Sequence, residues 1–167
     1  MPTLIKNGQV AANDWQLVDM DAGLDKVEGT DTVANVIVPL AMWLAEKDTL
    51  TGCGKTIGVW LDSDDDPYSL ADDAASLPLI ALKFPSFRDG RAYSSAAILR
   101  TRMNFKGELR AVGDVLRDQL YYMQKCGFDS FELSDGVKTE DALSAFSDFH
   151  TGYQSTVTEP TPLFRRR

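Results

Sequence analysis

A chain of 167 residues, 44% apolar and 25% charged, is long enough for one domain with a sizeable core and short for two. Its net charge of −8 argues against a general nucleic-acid partner, because phosphate binding needs a basic surface. Two cysteines, Cys53 and Cys126, without CxxC spacing, and a single histidine, His150, give no readable metal site or dithiol centre.

TLIKNGQVA, Thr3 to Ala11, flanks Asn7-Gly8 with apolar residues, and that dipeptide accepts both positive φ angles of a two-residue turn. A small N-terminal hairpin is predicted. WQLVDMD, Trp15 to Asp21, reads as a strand, and Ala22 to Asp31 as a loop. A helix follows with Pro39 in its first turn, Leu40, Trp43, Leu44 and Lys47 at helical spacing, and an end near Gly52. The run containing Pro39, Val36 to Ala45, is the longest apolar stretch and too short to span a bilayer. No membrane span is expected. The opening MPTLIKNGQV lacks the pattern of a secretory signal, so the reading places the protein in the cytoplasm.

From Thr56 the pattern becomes regular. TIGVWLDS (Thr56–Ser63), LPLIALKF (Leu77–Phe84), GELRAVG (Gly107–Gly113) and FDSFEL (Phe128–Leu133) read as short, mostly buried strands. Helical segments are expected over Pro67–Ala75, Arg91–Met103, Asp114–Cys126 and Thr139–Phe149. In the third, Asp114 serves as N-cap and Gly127 as terminator. Alternating strands and helices imply βα units and a mainly parallel sheet, open or a partial barrel, in one α/β domain over residues 1–155. Residues 156–167, with two prolines and no periodicity, read as an extended or mobile tail.

Ligands of such sheets gather beyond the carboxyl ends of the strands, which selects particular loops. DSDDDP, Asp62 to Pro67, begins like a calcium loop, but Pro67 occupies the required glycine position. TGCGKT, Thr51 to Thr56, ends like a phosphate-binding loop but lies between a helix and a strand in the wrong order. No GxGxxG occurs, so no cofactor is predicted.

The more informative loop is FPSFRDGRAYS, Phe84 to Ser94. Between Lys83 and Arg117 the acidic chain carries eight basic residues against three acidic ones. Arg88 and Arg91 flank the Asp89-Gly90 turn, and the helix that follows opens near Ser94 and Ser95. Arginine forks and a helix N-terminus suit an oxyanion such as phosphate, sulfate, sulfite or a carboxylate. In the plainer alternative, Asp89 caps the helix and both arginines pair with the acidic surface. Arg110, inside a strand, requires an acidic partner or a bound anion if it is buried. Arg117 lies in the first turn of the next helix. Asp114 and Tyr93 are the candidate proton-transfer groups, each with a structural alternative as cap or packing residue.

FPSFRDGRAYSSAAILR followed by GELRAVGDVLRDQLYYMQKCGFDSFEL resembles a bacterial domain-of-unknown-function family, number nine hundred and thirty-four, over nearly the whole chain and most strongly from Phe84 to Leu133. Asn104-Phe105 departs from the expected Gly-Tyr, at a helix end. The resemblance implies an oxidoreductase label and a role in assimilatory sulfite reduction. The residues show no site for electrons, so two readings stand: an accessory module to sulfite reductase or a neighbouring enzyme, or an enzyme of sulfur-oxyanion or phosphorylated-metabolite chemistry.

Overall fold

The computed structural model describes residues 3–28, 34–148 and 154–165. Among them the strands are β1 (Leu4–Lys6), β2 (Gln9–Ala11), β3 (Trp15–Leu17), β4 (Asn35–Pro39), β5 (Thr56–Leu61), β6 (Leu79–Phe84), β7 (Glu108–Gly113) and β8 (Ser130–Glu132). They form one sheet in the order β2-β1-β8-β7-β6-β5-β4-β3. From β3 to β8 every pairing is parallel, while β1 runs antiparallel to both β8 and β2. The expected mainly parallel α/β sheet and N-terminal hairpin are both present, and Asn7 and Gly8 hold φ of 51° and 75° in the hairpin turn.

Because β3 to β8 lie side by side in chain order, right-handed crossovers put their helices on one face. These are α1 (Asp25–Glu28), α2 (Leu40–Gly52), α3 (Arg91–Thr101), α4 (Arg117–Cys126) and α5 (Thr139–Ala145). The other face curls into a half-barrel. Its outermost strands, β2 and β3, are joined by residues 12–14 alone, so Ala11 and Trp15 can be no more than roughly 14 Å apart.

Both faces are buried, which is why the strands read as continuous apolar runs rather than alternating ones. Val36, Val59, Ile80, Leu82, Leu109 and Phe131 belong to the main core that the helices cover. Ile37, Trp60, Leu79, Ala81 and Val112 form a second cluster inside the curl, with Trp15 packed against it. Gly58 makes room there: a Cβ would stand 3.2 Å from the Trp15 ring.

Several expectations need correction. The loop expected over Ala22–Asp31 contains the short helix α1 (Asp25–Glu28). Pro39, expected in the first turn of a helix, is the last residue of β4 (Asn35–Pro39); the strand runs into α2 without a loop, with Pro39 as extended N-cap. Pro67–Ala75 is two short 3₁₀ turns, Pro67–Leu70 and Ala74–Ser76. The helix α4 begins at Arg117 and not at Asp114; Gln119 accepts the Leu116 N–H at 3.0 Å and caps it from within. Gly127 ends α4 as expected, at φ 111°. The last helix stops at Ala145, and Phe149 and His150 lie outside the described residues. In the C-terminal segment the Val157 N–H donates to Lys125 O at 3.1 Å and Glu159 pairs with Lys125 at 3.2 Å, which fixes this part of it against the end of α4.

Candidate functional site at the carboxyl ends of the strands

Two loops meet above β5 and β6. Arg91, the first residue of α3, donates Nε to Asp89 Oδ1 at 3.0 Å and Nη2 to Asp89 Oδ2 at 2.6 Å. The same guanidinium reaches Ser63 Oγ at 2.9 Å and pairs with Asp64 across the loop after β5. The hydrogen bonds from Arg91 hold the Asp89 carboxyl far below the ordinary carboxylate range, and the same bonds raise the already high pKa of Arg91. Asp89 also accepts the Arg91 N–H at 3.2 Å, a bond to the first turn that the N-cap, Gly90, has no side chain to make.

The loop after β6 is latched from a third side. Asp114 Oδ2 accepts the Phe87 N–H at 2.8 Å, and the Asp114 N–H returns to Phe84 O at 2.8 Å. The chain reaches this position through Gly113 at φ +95°, where a Cβ would stand 2.4 Å from Phe84 O. Only glycine fits, and it brings the ends of β6 and β7 together. The tip of the latched loop is Phe87-Arg88. Phe87 is 54% exposed, Arg88 is exposed, and among the described residues Arg88 has no ion pair.

The remaining predicted residues lie apart. Ser94 is exposed and Ser95 half-buried on α3. Tyr93 packs edge-on against Phe84 with ring centroids 5.1 Å apart and against Tyr122 at 5.0 Å, and burial raises its hydroxyl pKa. Arg117 donates to Asp148 Oδ1 at 2.9 Å in the helix layer.

Arg110 faces the inside of the curl and is 1% exposed. Its Nε and Nη2 share Glu108 Oε1 at 2.9 and 2.7 Å, and Nη1 reaches Asn13 Oδ1 at 2.9 Å. Lys6 completes the cluster, 2.5 Å from Glu108 Oε2. Burial pushes the Glu108 carboxyl up, but the Lys6 hydrogen bond and the Arg110 charge outweigh it, and the net pKa falls below the ordinary value. Since Asn13 belongs to the link between β2 and β3, the cluster ties the open side of the curled sheet to β7 and β1.

Much of the basic block is therefore neutralised within the chain. Lys83, Arg91, Arg100, Arg110 and Arg117 each have a carboxylate partner, whereas Arg88, Arg102 and Lys106 are exposed with no ion pair among the described residues.

Lys83, not among the candidate residues read from the sequence, stands at the same end of the sheet. Its Nζ lies 5.0 Å over the Trp60 ring and 3.5 Å from Asp62 Oδ2, beside a cavity of about 470 Å³ lined by Leu17, Asp19, Met20, Lys26 and Trp60 among others. The alternation in LPLIALKF held the signal: Leu79, Ala81 and Lys83 share a face, and Lys83 is the one at the carboxyl end.

Among the described residues, Cys53 is half-buried and Cys126 buried, both free, and no group of three or more His, Cys, Asp or Glu is placed to hold a metal ion. No described helix is long and apolar enough to cross a membrane. No curated protein matches the chain. A family model does match, over residues 58–164, from β5 into the C-terminal segment, leaving the hairpin, β3, β4 and α2 outside. The match covers more than half of the chain and the whole loop system around Arg91 and Asp114, so the chain belongs to the family described as bacterial protein of unknown function, DUF934.

Proposed function

We propose that the chain is a cytoplasmic accessory protein of assimilatory sulfite reduction, docking on sulfite reductase or a neighbouring enzyme through the rim at the carboxyl ends of its strands. The observation that carries this reading is the Phe87-Arg88 tip. It is an exposed aromatic and an exposed arginine on a loop held by Asp114 on one side and by the Arg91–Asp89–Asp64 clamp on the other. Aromatic and arginine side chains are the commonest interface anchors, and a loop already fixed loses little entropy on binding. The link to sulfite comes from the resemblance, whose strongest stretch, Phe84 to Leu133, builds this rim.

The alternative is an enzyme that holds a sulfur oxyanion or phosphorylated metabolite between Arg88 and Arg91, with Asp114 or Tyr93 transferring protons. Exposure of Arg88 favours it. Arg91, however, would have to exchange Asp89 or Asp64 for the anion.

A pull-down with sulfite reductase tests the docking reading. Association is expected at low salt and should weaken as salt rises, because exposed charge pairs are screened beyond about 8 Å at physiological ionic strength. Phe87→Ser and Arg88→Glu should each abolish it. Sulfite-dependent nicotinamide oxidation by the isolated chain, or a stoichiometric visible chromophore, would favour the enzyme instead.

A further inference from the structure

We infer that the mouth of the curled sheet is a binding site for a small organic monocarboxylate, with Lys83 as its anion-binding group and Trp60, Leu17 and Met20 as the walls for its apolar body. The site is separate from the Phe87-Arg88 tip and does not rest on the docking reading.

The position is the one that parallel α/β sheets use for ligands, beyond the carboxyl ends of β3, β5 and β6. The cavity of about 470 Å³ falls within the usual range for small-molecule pockets. Its floor is rigid: Trp60 is 3% exposed and donates Nε1–H to Val18 O at 2.8 Å. Over that ring lies the Lys83 ammonium, held by cation–π attraction. An ammonium carries three donors. The contact with Asp62 Oδ2, at 3.5 Å, is longer than a direct hydrogen bond of about 2.7–3.2 Å, so Lys83 has donor capacity left for a ligand oxygen.

The walls decide what kind of anion fits. Leu17 and Met20 are 40% and 47% exposed beside the charge, apolar surface that a hydrocarbon group would cover. Asp19 and Asp21 line the same cavity and Asp62 adjoins it, three carboxylates against the two lysines, Lys26 and Lys83, so the mouth already carries one negative charge in excess. A single carboxylate adds one charge, which the spare donors of Lys83 and the burial of its apolar body have to offset, while phosphate or sulfate adds a second against the same three aspartates.

Isothermal titration calorimetry on the full chain, at matched ionic strength, tests the site with 4-methylpentanoate, acetate, sulfite and inorganic phosphate as probes. Saturable one-to-one binding of 4-methylpentanoate is expected, at least tenfold tighter than for acetate or either inorganic anion. Lys83→Met should weaken it at least tenfold. Met20→Asp, an exposed change that leaves the core intact, should do the same and serves if Lys83→Met fails to fold. Absence of saturable 4-methylpentanoate binding to the wild type would overturn the inference, as would equal or tighter binding of acetate, sulfite or phosphate, or unchanged binding in a folded variant.

Discussion

At the amino ends of the parallel strands, Arg100 gives its guanidinium to three carbonyls, Phe105 O at 2.8 Å and Gly107 O and Gly127 O at 2.9 Å, and to Asp129 at 3.0 Å. At the carboxyl ends Arg88 stands exposed with no ion pair among the described residues. Both arginines come from one basic stretch of the sequence, and their type and local charge do not distinguish them. What does is the density of acceptors around each. Arg100 closes the loop that turns from α3 into β7, and saturating its donors is structural work. Arg88 sits on a loop whose carboxylate, Asp89, is already taken by Arg91, so its donors remain for a partner. Arg110, deep in the curl, resembles Arg100 more than Arg88.

This contrast can be broken most decisively at Arg110. Arg110→Ala leaves Glu108 buried with only Lys6 as counter-charge, and a loss of about 3–5 kcal/mol is expected in urea unfolding. A loss below 1 kcal/mol would show that the cluster does not brace the sheet. Next in size is Gly113→Ala. With φ at +95° and Phe84 O in the way, it should cost about 2 kcal/mol and loosen the rim that Asp114 latches. Circular dichroism melts are sufficient to measure it.

Glu108 makes the comparison depend on pH. Its folded pKa lies below the ordinary value of 4.5, so folding favours the ionised form. The stability it contributes is fully present above pH 4.5 and is lost as pH falls through the lower folded value. The stability difference between wild type and Glu108→Gln should therefore shrink below about pH 4.5, and a difference that stays constant into acid would contradict the pairing. The smallest effect belongs to Arg88→Ala, expected to change stability by less than about 0.5 kcal/mol, since the side chain is exposed and has no ion pair among the described residues. A larger loss would place Arg88 with the structural arginines.

Local chemistry carried much of the fold into the sequence. Asn7-Gly8 announced the hairpin, Gly127 the end of α4, and the regular alternation after Thr56 the parallel sheet. β4 stayed hidden because NVIVP passes straight into α2, with no turn residues to separate a strand from a helix and with Pro39 compatible with either. The candidate site was legible only in part. Arg88, Arg91 and Asp114 could be named as loop residues. The partners that decide their roles could not, because Asp64 lies 27 residues before Arg91 and Asp114 binds an N–H 27 residues earlier. Arg110 was the exception: its need for an acid follows from burying a charge, and Glu108 on the same face of the same strand supplies it.

Amide hydrogen exchange of the chain with and without sulfite reductase tests the central claim most directly, that the carboxyl-end rim is the working surface and the amino end is structural. Added protection is predicted at residues 86–90 of the β6–α3 loop, and none around Arg102 and Lys106. Protection confined to Arg102 and Lys106, or no change anywhere at saturating enzyme, would contradict it.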